Sequence, residues 1–308
     1  MPAMSAQHSV VRGGILITFA FFCIASMCAL VKVSAEIPVG IIVFFENILG
    51  FIVLGSWSIT YDRQSIRTSR LGMHILRAVT GVLSQALMFI ALKRMPLMNA
   101  VLLGNAAPLF IPLCAWIALK ERIAPGVWLS LLIGFAGVAC ILHPGRDLFA
   151  SPWAMLALSA ALFSAIALVA VNRLTHTETT TQILFFYFFL SSLVTLPFAI
   201  VAWRPFTAAE MRDLFVIGVL MTAAQVLFLL AYHHATASQI APFNYSVVVF
   251  SGLFGWVLWK DVPGWTSLVG VLLVSLGGIL ATHQKGASAP AGHLGWTMQG
   301  HRLTRAAE

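Results

Sequence analysis

The sequence predicts an all-α integral membrane protein with ten transmembrane helices, arranged as two inverted five-helix repeats around a central cavity. Three observations support this fold class: an apolar composition, ten long apolar segments, and a repeat unit that holds an odd number of segments. Of the 308 residues, 60% are hydrophobic and 9% are charged, and the mean hydropathy is +0.93. Soluble domains carry roughly 25% charged residues. The composition therefore indicates a polytopic membrane protein.

A helix needs about 20 apolar residues to cross the hydrocarbon layer of a membrane. Segments of that length and character occupy residues 12–31, 38–58, 71–92, 97–119, 123–142, 152–173, 180–202, 211–232, 238–259 and 263–283. Proline punctuates several of the short connections, as expected where helices restart. The first segment is too long for a signal-peptide core and runs directly into others, so we expect it to be retained. Residues 1–11 are predicted to be a cytosolic N-terminus, and residues 284–308 a disordered cytosolic tail.

The distribution of lysine and arginine predicts the orientation of these segments. With the N-terminus inside, eleven of the 18 basic residues fall on the inner side and seven on the outer side. Cytosolic loops carry the excess of positive charge. We therefore expect a protein of the bacterial inner membrane with both termini in the cytosol.

An internal repeat divides the chain into residues 12–143 and 151–283. At a nearly constant offset of about 140 residues, similar residues recur along successive segments: Gln85 and Gln225, Ala91 and Ala231, Trp116 and Trp256, Lys120 and Lys260, Gly137 and Gly277. An offset of 141 sets Glu46 opposite Tyr187. Because each unit holds five segments, the second copy must enter the membrane from the opposite side. Inverted repeats are typical of secondary transporters, with the binding site near the midplane between the halves.

Three stretches of the sequence resemble the EamA branch of the drug/metabolite transporter superfamily. They are "LRAVTGVLSQALMFIALKRMPL" (76–97), "APLFIPLCAWIALKERIAPGVWLSLLIGFAGV" (107–138) and "APFNYSVVVFSGLFGWVLWKDVPGWTSLVGVLLVSLGG" (241–278). The resemblance extends over residues 12–283. It implies ten helices, cytosolic termini, and a cavity lined by spans one to four and six to nine. It implies no particular substrate, since relatives move amino acids, nucleotide-like metabolites, vitamins and metal-chelating metabolites.

Glu46 is the one acidic residue well inside a predicted span. An ionised group at that depth costs roughly 2.5–3.5 kcal/mol and by default suggests a functional site. The alternatives are a structural ion pair with Arg77 or Lys32, or a buried acid kept neutral. Members of the resembled family often carry arginine at the matching place, so Glu46 favours a cationic group or a proton instead. A buried carboxylate that exchanges a proton would suit proton antiport.

Other polar side chains within the predicted spans are candidate substrate contacts. Arg77 either binds substrate or extends to the membrane interface. Gln85 and Gln225 occupy equivalent places and either line the cavity or join helices by hydrogen bonds. Tyr187 is a candidate cavity wall or an ordinary lipid-facing or interhelical tyrosine.

Asparagine and tyrosine residues lie beside prolines in the fourth and ninth spans. Pro108, Pro112 and Pro242 each remove a backbone donor, and irregular backbone at membrane depth is tolerated where it meets protein or a wet cavity. We expect Asn105, Asn244 and Tyr245 either to contact substrate or to repair the local helix.

The sequence predicts a secondary transporter and no enzyme. It has no "GxxxxGK[ST]" phosphate loop and no "HExxH", and its four cysteines have no metal-ligand spacing. We expect no cofactor or metal, and no nucleic-acid partner, because the basic residues form no continuous face. The expected activity is export of a small polar, zwitterionic or cationic metabolite by proton antiport. The alternatives are uptake of a nucleoside-like or sulfonium metabolite of the S-adenosylmethionine type, a channel, or a structural subunit; monomer and homodimer stay open.

Overall fold

The computed structural model describes residues 2–56, 68–119, 125–142, 151–175, 177–234, 243, 245–262 and 264–288, and all regular structure in these ranges is helical. The part with the first repeat contains α1 (Pro2–Val33), α2 (Val39–Gly50), α3 (Leu71–Leu92), α4 (Leu97–Gly104), α5 (Ala107–Leu119) and α6 (Pro125–Leu142). The part with the second contains α7 (Pro152–Leu174), α8 (Thr180–Val201), α9 (Ala208–His234), α10 (Ser246–Trp259) and α11 (Trp265–Ser288).

Local sequence explains where several helices begin. Pro38, Pro96 and Ser151 precede α2, α4 and α7, and α7 carries proline at its first position, where a missing N–H costs nothing. At the start of α8, Thr179 and Gln182 form a reciprocal capping box, which satisfies two backbone donors that the helix leaves free.

Six helical stretches are long and apolar enough to cross a membrane, among the residues described: Val11–Val33, Leu71–Leu92, Leu97–Cys114, Pro152–Leu174, Thr180–Val201 and Ala208–Phe228. Four further apolar helices have 10–17 residues: Val39–Gly55, Trp128–Gly137, Ser246–Trp259 and Trp265–Gly277. The described part of the chain is therefore all-helical, and its apolar helices indicate a multi-pass membrane protein. Each predicted span overlaps one of these apolar stretches. That all ten stretches cross the membrane stays a prediction.

Several predicted boundaries differ from the structure, since α1 begins at Pro2 and α9 at Ala208. Three further differences concern the backbone within or after a span. The fourth span is interrupted at residues 105–106, because Pro108 lacks the N–H that would bond one turn earlier and its ring crowds that turn. The second span changes after Gly50 to a π-helical turn, Phe51–Gly55. Helix α11 extends to Ser288, so the first residues of the predicted tail are helical, and residues 289–308 lie outside the described part.

The helices pack in pairs that correspond when the two repeats are exchanged. Helix α3 packs along α7 just as α9 packs along α1, and the contact of α2 with α9 corresponds to that of α8 with α3. The pairs α2–α8 and α6–α11 are unchanged by this exchange, because each joins a helix to its own counterpart in the other repeat. The two halves therefore meet along related surfaces, with α2, α3, α8 and α9 at the centre.

Glycines allow α6 and α11 to pack backbone against backbone. A Cβ on Gly137 would lie 2.6 Å from the backbone nitrogen of Val274, and one on Gly277 would lie 2.6 Å from the Cα of Gly134. Small residues permit this kind of approach in membranes. The pairing fixes one edge of the bundle, away from the central helices.

Candidate functional site

Glu46 lies at the centre of the bundle on α2. Its side chain is 0% exposed, as is that of its neighbour Asn47. The Asn47 amide donates to the Val43 carbonyl at 2.7 Å, which is a hydrogen bond within its own helix. One turn further on, Gly50 faces the ring of Phe188 so closely that a Cβ would lie 2.3 Å from it. This contact holds α2 against α8 and fixes the position of Glu46 beside that helix.

A polar stripe runs along one face of α3 toward Glu46. His74, Arg77, Gly81 and Gln85 follow one another at intervals of three or four residues, which places them on the same side of an α-helix. Gly81 leaves room for Tyr187 of α8, since a Cβ there would lie 3.0 Å from the tyrosine ring. The stripe therefore faces the second half of the chain.

Tyr187 joins this stripe into one cluster. Its hydroxyl donates to Gln85 Oε1 at 3.2 Å, and the Arg77 guanidinium lies over its ring with Cζ 4.1 Å from the ring centroid. The Gln85 side chain in turn lies beside the Glu46 carboxylate, with no hydrogen bond of standard geometry between them. We call Glu46, Arg77, Gln85 and Tyr187 the central cluster. It brings together three residues of the first repeat and one of the second.

The charged groups of the central cluster have no hydrogen-bond partners of standard geometry among the described residues. Both carboxylate oxygens of Glu46 are buried without a hydrogen-bond partner, and so are Nε and Nη1 of Arg77. Glu46 forms no ion pair with Arg77 or Lys32, all three being described; Lys32 instead lies 3.7 Å from Asp261. Buried charges are normally paired or satisfied. Two unpaired charges of opposite sign therefore mark this cluster as the strongest candidate for a binding site.

Asn105 and Tyr245, two of the remaining predicted site residues, make hydrogen bonds outside the central cluster. Asn105 follows α4 and donates to the Val101 carbonyl at 2.7 Å, a contact within its own helix. The Tyr245 hydroxyl donates to the Val274 carbonyl of α11 at 3.4 Å. Gln225 is half-buried on α9. Asn244 lies outside the described residues, as does Pro242. A role for these residues in binding stays a prediction.

His74 belongs to the same stripe and was not predicted from the sequence. It is 0% exposed, neither ring nitrogen has a partner in the described part of the chain, and its ring centroid lies 4.6 Å from that of Phe186. Its spacing of three residues from Arg77 on a helix face was the available signal.

The two halves also meet at one end of the bundle, which we call the Lys32 end. The Lys32 ammonium donates to the Met95 carbonyl at 2.8 Å and lies 4.8 Å from the ring centroid of Trp259. Ser34 donates to Asp213 at 3.1 Å. These contacts join the connections α1–α2 and α3–α4 of the first half to α9 and the α10–α11 connection of the second.

Lys93 closes the same end from the first half. Its ammonium donates to the backbone carbonyls of Ala35 and Ile37. Burial lowers the pKa of Lys93 to about 8, and Glu36 opposes this shift. Charge at this end therefore responds to pH above neutrality.

The opposite end, which we call the Thr68 end, has its own contact between halves. Thr68, before α3, donates to Glu178, between α7 and α8, at 2.7 Å. Across the described residues, no group of three or more His, Cys, Asp or Glu side chains could hold a metal ion.

Comparison with known proteins gives consistent matches along most of the chain. The sequence model of the EamA-like transporter family matches residues 11–143 and 151–282. The pseudopaline exporter CntI of Pseudomonas aeruginosa is 31% identical over 282 residues, 89% of this chain and 96% of the relative. A riboflavin transporter of Vibrio cholerae is 25% identical over 279 residues, 89% and 93% of the two chains.

Two further matches extend this set. An S-adenosylmethionine uptake transporter of Rickettsia bellii is 25% identical over 235 residues, 76% of this chain and 80% of the relative. A crystal structure shares 17% identity with a TM-score of 0.58, covering 92% of this chain and 99% of that one; this likeness shows the fold alone. The curated relatives are transporters and the family model spans both repeats, so the chain belongs to the EamA-like transporter family and is a membrane transporter, not an enzyme.

Proposed function

We infer that the protein is a secondary transporter that exports a small metabolite carrying a cationic group, in exchange for protons, with the central cluster as its binding site. The single observation that carries this is the fully buried, unpaired carboxylate of Glu46 between the two halves. Acidic residues in membrane spans usually mark substrate or proton pathways.

The contacts at the two ends support an inverted arrangement of the repeats. At the Lys32 end, connections after the first and third spans meet the start of α9 and the connection after α10. If both repeats had the same orientation, the connections after α7 and α9 would lie there instead. The Thr68–Glu178 contact, which joins the connections after the second and sixth spans, fits the same arrangement.

In this mechanism the proton and the substrate occupy Glu46 in turn. A protonated Glu46 is neutral and tolerates burial, whereas an ionised one needs a cationic partner. Tyr187 donates to Gln85 Oε1, which leaves the Gln85 amide N–H groups for the carboxylate. Because Tyr187 belongs to the other half of the chain, a rocking motion between halves would change the surroundings of Glu46. That coupling between charge and conformation is what exchange requires.

The names of the relatives guide the choice of substrates. An exporter of pseudopaline and uptake transporters of S-adenosylmethionine are both among them. We favour export, because one carboxylate can alternate between a proton and a cationic substrate. Uptake of a sulfonium metabolite is the second candidate, because a lone buried carboxylate also suits a sulfonium cation. We expect the protein in the bacterial inner membrane with both termini cytosolic.

The test has two stages. Thermal unfolding of the purified protein with pseudopaline, S-adenosylmethionine and riboflavin identifies a ligand, and flux of that ligand is then measured in proteoliposomes with an imposed pH gradient. We expect Glu46→Gln to abolish gradient-driven flux and Glu46→Asp to retain part of it. Glu36→Gln, at an exposed connection, is the matched control and should behave as wild type. Equal flux by wild type and Glu46→Gln across a pH series would exclude the coupling role.

A further inference from the structure

The buried end of the stripe on α3 presents two groups that bind anions. Arg77 carries two buried N–H groups without partners, and His74, three residues earlier on the same face, carries two buried ring nitrogens without partners in the described ranges. Nearly all buried polar groups in proteins are hydrogen-bonded. Two neighbouring exceptions on one helix face indicate a site that a ligand completes.

The surroundings of these two groups favour an anion over a structural role. Arg77 lies against the face of Tyr187, which holds the guanidinium from one side, while Nε and Nη1 are left without partners in the described residues. Guanidinium N–H groups form short, strong, charge-assisted hydrogen bonds with carboxylates. Glu178 is the acidic group near His74, but its carboxylate accepts a hydrogen bond from Thr68 at the end of the bundle, and it forms no ion pair with Arg77 in the described chain.

We propose that Arg77 and His74 form an anion subsite of the central cluster, so that the substrate is a zwitterion whose carboxylate binds there while its ammonium binds Glu46. The proposal rests on the proposed function, since it names the class of substrate for the same site. Glu46 alone would accept any cation; the second subsite selects cations that also carry a carboxylate.

The spacing of the two subsites sets the length of the substrate. The backbones of Arg77 and of Gln85, the residue beside Glu46, are separated by about 12 Å along the helix at 1.5 Å per residue, and we take this separation as that of the two subsites. Two charged hydrogen bonds of about 2.8 Å each leave about 6 Å for the substrate. In an α-amino acid the ammonium nitrogen and the carboxylate oxygens are within about 3.5 Å of one another. The two subsites therefore fit a carboxylate and an ammonium that are separated by several carbon atoms.

Binding of simple probes to the purified full-length protein tests this inference. The probes are unbranched ω-amino acids from glycine to 6-aminohexanoate, with hexylamine and hexanoate as controls that carry one charge each. Thermal unfolding is measured at millimolar probe concentrations. For wild type we expect stabilisation to increase with chain length and 6-aminohexanoate to exceed both controls. Glycine acting as strongly as the longer probes, or no probe acting at all, would overturn the inference.

Variants separate the two subsites. Loss of a hydrogen-bonded charge pair should raise the Kd by about 10- to 100-fold, so Arg77→Gln and His74→Gln should weaken 6-aminohexanoate toward the level of hexylamine without changing hexylamine. Glu46→Gln should weaken hexylamine and leave hexanoate unchanged. Arg70→Gln, at an exposed arginine before the same helix, is the matched control. If Arg77→Gln does not fold, Arg77→Lys should give an intermediate Kd.

The result distinguishes this inference from the transport mechanism. If probe binding does not depend on Arg77 while proton-driven flux depends on Glu46, the anion subsite is contradicted and antiport is supported. Binding that needs both residues, in a protein without proton-driven flux, would support the subsite and remove the proton coupling.

Discussion

Replacement of Gly277 by alanine tests the backbone-to-backbone packing of α6 and α11. The added Cβ would lie 2.6 Å from the Cα and nitrogen of Gly134 and 2.7 Å from the Ser130 carbonyl oxygen. Carbon atoms prefer separations of about 3.5–4.0 Å, and backbone atoms have no rotamer by which to move aside. The two helices must therefore separate by about 1 Å. Overpacking of this kind costs about 1–3 kcal/mol.

Gly72→Ala is the matched control, because a Cβ there meets nothing within 4 Å. Alanine gains up to about 1 kcal/mol of helix propensity at Gly277 and no more than that at Gly72, in the first turn of α3, so a lower stability of Gly277→Ala reports the packing cost. Unfolding in mixed micelles with increasing sodium dodecyl sulfate should show Gly277→Ala less stable than Gly72→Ala by about 1–3 kcal/mol. Equal stabilities of the two variants would refute the packing described for these helices.

Three other predictions concern the site and the Lys32 end. Tyr187→Phe removes the hydrogen bond to Gln85 and should lower stability by about 0.6 kcal/mol while weakening ligand binding; a fully active, equally stable variant would argue against the central cluster. Lys32→Gln removes the contact with Asp261 and should increase thiol labelling of a cysteine placed at Met98, which lines a pocket together with Asp261 at that end; unchanged labelling would contradict a closing role. Burial lowers the pKa of Lys93 to about 8 in the folded protein. Between pH 8 and the ordinary pKa of a lysine, the folded protein therefore binds fewer protons than the unfolded chain, and the contribution of Lys93 to stability rises with pH. Thermal unfolding from pH 8 upward should show a shallower increase for Lys93→Met, and identical slopes would count against the shift.

The helices could be predicted well from the sequence because apolar length and proline position are local properties. Residues 71–92 were predicted with the bounds that α3 has. Pro108 indicated irregular backbone, but the interruption near Asn105 was harder to predict. A helix that contains a proline can kink at that point instead of breaking.

The site was predicted only in part. The repeat offset set Glu46 opposite Tyr187, and these residues lie in one cluster. That Arg77 lies over the Tyr187 ring instead of pairing with Glu46 depends on how α3 and α8 pack, which no sequence pattern specifies. His74 was missed for a related reason: its burial depends on contact with Phe186 of another helix.

The most direct test of the account is whether the two ends of the bundle open alternately. Spin labels on cysteines at exposed positions, Glu36 with Val262 at the Lys32 end and Ser69 with Thr177 at the Thr68 end, report one distance across each end in a protein with its four native cysteines replaced. When the pH is changed or the identified ligand is added, we expect one distance to lengthen while the other shortens. Distances that stay fixed, or that change in the same direction, would contradict alternating access to a central site.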